Sequence, residues 1–374
     1  MEIKNWNNIL KQLNTKLKLL GLLLLIIGSL MFASLKLLPE KNTIIAFILL
    51  WVIFGIIAVA IYKNFNSLLD NSVIKDSNPN TKQIDIQQVV SSGKIPFSNS
   101  HKEKIRLALQ ADANIELDTV GIQEVLKRLE GKQNISVLDL GCGDGEITFS
   151  RFENINDFQK IVGVDINSNA IKCANLNNPN PNRFSFRTYD VEDNDLEDYV
   201  RKIDDYFTDG VDFVYSALLL SHLNKPEVLI NKVHSILKPG GVALFRGSDD
   251  GTKICYPDEH GNLQNVIQLT KKLPGMSDRE NARKLYMQLV NSRFKNIVSH
   301  YLVRDTVNLD LKEKDRFFTK SFSFRRRYAE DLIKEKKHVE DCENLISELN
   351  KFEELFMSDN FYYMEMSYLF LGTK

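Results

Sequence analysis

The chain has 374 residues, with 48 Lys or Arg against 49 Asp or Glu and a formal charge of −1. That is more chain than one ordinary domain needs, and so even a balance excludes a global electrostatic pull toward nucleic acid, leaving only local basic surfaces. Four cysteines, at 142, 173, 255 and 342, show no C-x-x-C or His-paired metal spacing and read as reduced thiols in a cytosolic setting.

Residues 1–18 carry Lys4, Lys11, Lys16 and Lys18. Two nearly uncharged runs follow, Leu19 to Leu38, interrupted only by Lys36, and Thr43 to Tyr62. As a helix each run is about one bilayer long. The connector Pro39-Glu-Lys-Asn42 is too short for a domain, so the spacing predicts a two-helix transmembrane hairpin over 19–62. The lysines before it and Lys63 after it put both ends on the cytoplasmic side. The expected location is therefore the cell membrane, multi-pass, with the remaining chain in the cytoplasm. A cleaved signal peptide followed by one anchor is the alternative, but no small-residue cleavage site follows the first run. From 63 to 100 the chain turns polar, and Ser77-Asn-Pro-Asn-Thr-Lys82 and Ser91-Ser-Gly-Lys94 suit a tether.

Residues 101–374 read as one α/β domain. Apolar residues at three- and four-residue intervals predict helices over His101–Gln110 and Thr119–Leu129. Strands are predicted at Ser136–Leu140, Ile161–Ile166, Arg183–Tyr189, Gly210–Ala217 and Gly241–Gly247, with helical stretches such as Lys225–Leu237 between them. This alternation specifies a mostly parallel sheet with helices on both faces. Arg279–Val290 then reads as a helix, and Phe294–Val307 and Phe361–Gly372 as strands. Between those strands lies a charged, helical insertion at about 308–360.

The first strand runs into a loop, Val137-Leu-Asp-Leu-Gly-Cys-Gly-Asp-Gly145. Its glycines let backbone approach a ligand, and the helix start behind it offers free N–H groups. A dinucleotide fingerprint would read G-x-G-x-x-G; here the spacing is G-x-G-x-G, with Asp144 where a pyrophosphate would lie. The next strand ends at Asp165, about twenty residues on, placed to accept two ribose hydroxyls. An adenosine-type ligand without phosphates fits both facts, and a nicotinamide-dependent oxidoreductase does not.

In these residues the chain resembles the class I S-adenosylmethionine-dependent methyltransferases. Asp139 to Gly145 looks like the family's first motif, Asp165 like its ribose-binding acid, and Tyr189-Asp190-Val191 like its adenine segment. Asp212-Phe-Val-Tyr-Ser216 is similar to its fourth strand, and Leu237-Lys-Pro-Gly-Gly-Val-Ala-Leu-Phe245 to its helix, turn and fifth strand. The resemblance implies a Rossmann-like sheet with an antiparallel last strand, S-adenosylmethionine as cofactor and methyl transfer as the reaction. It implies a cofactor site made of Asp139, Gly141, Cys142, Gly143, Gly145, Asp165, Ile166, Asp190, Val191 and Ser216. The glycines would lie along the methionine portion, Asp139 near its ammonium, Asp165 on the ribose and Asp190 on the adenine amino group. Carboxylates suit all three partners.

Several residues carry two readings. Asp190 opens an acidic run and also suits a helix N-terminus. His222, after the fourth strand, is the candidate general base, or a packing or capping residue. Tyr215 and Ser216 can be pocket wall and nothing more. The stretch from Asp249 to His260 reads as a long loop near the acceptor or as a plain turn. Phe322-Ser-Phe-Arg-Arg-Arg-Tyr328 suits phosphate groups of a lipid or acidic acceptor, or a solvated helix face. Leu345, Leu349, Phe352 and Phe356 form a stripe for a partner helix or for the chain's own core. The acidic run has no second ligand group at a defined spacing, so no catalytic metal is expected. The expected acceptor is a small molecule or lipid near the inner leaflet. A tethered cofactor-binding scaffold and a protein or nucleic-acid methyltransferase are the alternatives. Oligomeric state is not encoded in any pattern here.

Overall fold

The computed structural model describes residues 101–374. The expected N-terminal segment 1–18, transmembrane hairpin 19–62 and linker 63–100 lie outside the described residues. Among the described residues no helix is long and apolar enough to cross a membrane.

Helices α1 (His101–Asp112) and α2 (Ile115–Arg128) come first. Then β1 (Ile135–Leu140), α3 (Glu146–Phe152), β2 (Phe158–Asp165), α4 (Ser168–Leu176), β3 (Phe184–Thr188), α5 (Leu196–Ile203), β4 (Val211–Ala217), α6 (Pro226–Ile236) and β5 (Leu237–Ser248) alternate. The chain continues through β6 (Ile254–Tyr256), α7 (Asn262–Lys272), α8 (Ala282–Asn291), β7 (Lys295–Asp305), α9 (Leu311–Lys334), α10 (Val339–Phe356) and β8 (Tyr362–Thr373). Strand order is β3-β2-β1-β4-β5-β8-β6, with β7 also paired to β8. The first five strands are parallel, whereas β8 runs antiparallel to β5, β6 and β7. This is the expected Rossmann-like sheet with one antiparallel end.

Every residue of β1 is buried, because a central parallel strand is covered on both faces and needs apolar side chains on each. Alternate residues go to opposite faces. Leu138 and Leu140 pack with Val200 of α5, Ile230 and Val233 of α6 and Leu285 of α8. Ile135 and Val137 pack with Leu117, Ile122 and Val125 of α2 and Phe152 of α3. Two apolar layers therefore clamp the sheet and fix where its carboxyl ends point.

The insertion builds a third core with α7 and the start of β8. A capping box between Asp310 and Glu313 starts α9, satisfying N–H groups that the helix cannot. Leu345, Leu349, Phe352 and Phe356 are all buried, packed with Phe317, Phe318, Phe322 and Tyr363. That stripe serves the chain's own core. The solvated-face reading of 322–328 is corrected, since Phe322 and Arg325 are both fully buried. The loop expected after β5 is corrected as well. It holds a 3-10 turn at Asp250–Thr252, then β6 and α7, whose first N–H groups, of Asn262 and Leu263, donate to Asp258 at 2.7 and 3.1 Å.

Candidate active site

The loop after β1 is stitched to the end of β2. The N–H groups of Gly141 and Cys142 donate to the Val164 carbonyl at 2.8 and 3.1 Å, and that of Gly143 donates to Asp165 Oδ2 at 2.9 Å. Asn167 N–H donates to the other oxygen of Asp165 at 2.8 Å. One carboxylate is thus held by two backbone groups, and each oxygen keeps a further lone-pair direction for a ligand hydroxyl. Burial raises the Asp165 pKa, the N–H groups of Asn167 and Gly143 oppose that, and Asp144 raises it again.

Gly141, Gly143 and Gly145 all adopt positive φ, at 78°, 57° and 77°. At Gly145 a Cβ would come within 3.0 Å of Ala174 and Phe186, so glycine there is required by packing as well as by conformation. At Gly143 a Cβ would meet nothing within 4 Å. Backbone there faces open space, as a ligand cradle requires. Cys142 is buried beneath the loop.

Asp139, near the end of β1, is buried and accepts a 2.5 Å hydrogen bond from Thr148 Oγ1 of α3. Burial pushes its carboxyl up to about 7; the Thr148 hydroxyl works against that, and the nearby Asp165 and Asp118 charges add to it. An acid so reluctant to ionise is poised to gain from an arriving cation. Asp139 pairs in register with Tyr215, and Leu140 with Ser216, at the end of β4. Ser216 Oγ is buried and has no hydrogen-bond partner among the described residues.

Beyond β2, Ile166 is 54% exposed, an apolar surface beside the Asp165 carboxylate. After β3, Asp190 Oδ1 accepts from Glu192 N–H at 3.0 Å, while Val191 is buried. Helix α5 begins only at Leu196, so Asp190 orders a turn and does not cap that helix. Tyr189 stacks on Tyr199 with ring centroids 3.9 Å apart.

His222 closes the 3-10 turn Leu220–His222. Because α6 starts at Pro226, the histidine does not cap that helix. Surrounding protein depresses its pKa to about 4, helped by the Arg279 and Arg106 charges and opposed by Glu103. It is neutral at pH 7 and only a weak base.

Charged residues that no sequence spacing brings together ring this end of the sheet. Asp118 of α2 is fully buried between Arg151 of α3 and Arg246 of β5, each at 2.8 Å. Arg106 of α1 makes a bidentate pair with Glu103, both contacts 2.8 Å, and Arg327 of α9 also reaches Glu103. Arg325 pairs with Asp250. Lys253 and Lys320 share Glu365 of β8, at 2.5 and 2.7 Å. Two of these were signalled in the sequence, namely an acid on the apolar face of α2 and an arginine within the buried run Ala243-Leu-Phe-Arg-Gly247. Asp249 is likewise occupied, by Arg283 and the N–H of Gly251, so it is not directed at an acceptor. A groove of about 390 Å³ between α7 and α10 is lined by Asn265, Gln268 and Glu348 among others. None of the strand-end carboxylates lines it.

A family model described as a methyltransferase domain matches residues 131–365, more than half of the chain. An uncharacterized methyltransferase of Schizosaccharomyces pombe is 24% identical over 238 residues, 56% of this chain and 78% of that protein. A protein-lysine N-methyltransferase of Saccharolobus islandicus is 32% identical over 151 residues, covering 40% and 86%. A thiol S-methyltransferase of Rattus norvegicus is 29% identical over 128 residues, covering 32% of this chain and 46% of its own length. Since the family match runs from just before β1 into β8, taking in the glycine loop and the insertion, the chain belongs to the class I S-adenosylmethionine-dependent methyltransferases.

Proposed function

We propose that this methyltransferase acts on a small-molecule or lipid-like acceptor near the inner face of the cell membrane, its catalytic domain held in the cytoplasm by the hairpin at 19–62 and the linker at 63–100. The observation that carries this reading is the pair of bilayer-length apolar runs, flanked by lysines, ahead of a methyltransferase domain. Such an address concentrates the enzyme where membrane-associated acceptors are.

The residues at the strand ends fit the cofactor. S-adenosylmethionine, when bound, supplies a sulfonium methyl group open to in-line attack. The open space at Gly143 admits the methionine portion without a Cβ in its way, and Asp139 would hold the ammonium. Asp165, fixed by two backbone N–H groups, would accept the ribose hydroxyls. Ile166 and Val191 would flank the adenine and Asp190 would receive its amino group. The Ser216 hydroxyl, unpartnered among the described residues, would line the floor with Cys142. What the protein contributes to rate is alignment and exclusion of water, and alignment alone supplies about 7–11 kcal/mol in favourable cases. His222, uncharged at neutral pH, would accept a proton only from a nucleophile that starts protonated.

A protein acceptor is the second reading, favoured by the relative named for protein-lysine N-methylation. The balanced charge disfavours nucleic acid. The test is to incubate the full chain, in detergent, with methyl-labelled S-adenosylmethionine and membranes of the producing cell, then separate lipid, soluble and protein fractions. Label in the lipid or soluble fraction is expected. Label confined to protein would overturn the proposal.

A further inference from the structure

The segment between α7 and α8 is clamped across the ends of the two central strands. Asp278 N–H donates to the Ser221 carbonyl, in the turn after β4, at 2.7 Å, and Asp250 N–H, in the turn after β5, donates to the Arg279 carbonyl at 2.8 Å. These two bonds hold Arg279 over the turns after β4 and β5, near enough to His222 for its charge to help lower that imidazole's pKa. Phe324 of α9 lies below three guanidinium groups, with Arg325 at 4.5 Å, Arg279 at 4.8 Å and Arg106 at 5.5 Å from its ring centroid.

The acids nearby do not go round. Glu103 is taken by Arg106 and Arg327, Glu365 by Lys253 and Lys320, and Asp250 by Arg325. Six cations thus face three carboxylates among the described residues. The surplus falls on Arg279, whose nearest carboxylate oxygen, on Asp250, is 3.7 Å away. Its Nε is buried without a hydrogen-bond partner among the described residues. Crowded cations in a site of reduced dielectric repel one another unless an anion joins them, and a guanidinium fork matches the oxygens of a carboxylate or phosphate.

Resting on the methyltransferase reading above, we infer that the acceptor carries an anionic oxygen group, a phosphate or carboxylate, which docks on Arg279 with Arg106 at the ends of β4 and β5. The anion fixes the acceptor's orientation and leaves its nucleophile beside His222, toward the glycine loop. A neutral or purely cationic acceptor is disfavoured by the same surplus charge. Arg279 is a specificity residue, apart from the carboxylates at the ends of β1 and β2 and after β3 that would hold the cofactor.

The test uses the full chain in detergent, saturated with S-adenosylhomocysteine and titrated calorimetrically with inorganic phosphate and, separately, acetate. Binding of at least one anion is expected, weakened at least tenfold by Arg279→Gln and recovered in part by Arg279→Lys, with S-adenosylhomocysteine affinity the same in all three proteins. Undiminished anion binding by Arg279→Gln, or no anion binding by the wild type, would overturn the inference while leaving the cofactor reading intact. Failure of S-adenosylhomocysteine to bind the wild type would overturn both, and is told apart by its own titration. Competition by phosphatidylglycerol added to the detergent micelles against the bound anion assigns the group to a lipid headgroup; indifference to it assigns it to a soluble acceptor.

Discussion

Replacing Asp139 with asparagine separates fold stability from cofactor binding. The carboxyl rises from 3.8 to about 7 in the folded protein. Below pH ~4 it is protonated in folded and unfolded chains alike and contributes nothing. As pH rises, the unfolded chain ionises first, so stability is lost between roughly pH 4 and pH 7. At 1.36 kcal/mol per tenfold change, the loss levels off at up to about 4 kcal/mol. The asparagine side chain cannot ionise, and its carbonyl still accepts the Thr148 hydroxyl. Without cofactor at pH 8 the variant is therefore expected to be more stable than wild type, with a melting temperature several degrees higher at about 2–4 °C per kcal/mol. The advantage should shrink toward pH 4. Cofactor binding should move the other way, because an ammonium loses a charged partner worth about 1.5–3 kcal/mol, or roughly 10- to 100-fold in affinity. Thermal melts across pH 5–8 with and without S-adenosylhomocysteine, plus calorimetry, measure both. An Asp139→Asn protein that melts below wild type at pH 8, or binds cofactor equally well, refutes the reasoning.

Asp165→Ala removes the acceptor of the Gly143 and Asn167 N–H groups as well as the expected ribose contact. Calorimetry should show at least a tenfold loss of cofactor affinity, with about 1–3 kcal/mol lost in denaturant unfolding; unchanged affinity would end the ribose assignment. His222→Ala should lower turnover more than cofactor affinity. Because its pKa is held near 4 by the surrounding protein and by Arg279 and Arg106, the wild-type rate profile should show no ionisation near pH 6.5, and full turnover in the variant would return His222 to a bystander. Asp118→Asn leaves Arg151 and Arg246 buried without their shared counter-ion, a loss of about 3–5 kcal/mol readable by urea unfolding. A change under about 1 kcal/mol would show that the triad is not a buried charge site.

The sheet was legible because its signals are local. The apolar run before Asp139 marks a strand covered on both faces, the glycines mark a positive-φ turn, and the stripe from Leu345 to Phe356 marks a helix face. The helix α7 was also signalled, by Leu263, Val266, Ile267 and Thr270 at helical spacing, but the Gly and Pro before it suggested a longer loop. The charge network was not legible, because its partners are far apart in the chain. Asp118 meets an arginine 33 residues on, at 151, and another at 246. Arg279 acquires its position from the bond of Asp278 N–H to the Ser221 carbonyl and from its own carbonyl's bond from Asp250 N–H, which no spacing rule encodes. Arg325 looked like part of a solvated basic face because its carboxylate, Asp250, belongs to a turn 75 residues earlier.

The central claim is that the strand-end crevice holds S-adenosylmethionine through its carboxylates and open glycine backbone, with no provision for a pyrophosphate. Calorimetric titration of the full chain with S-adenosylmethionine, S-adenosylhomocysteine and NAD in parallel tests it most directly. Saturable binding of both sulfur nucleosides with NAD silent is the predicted result; NAD binding, or no binding of either nucleoside, would contradict it.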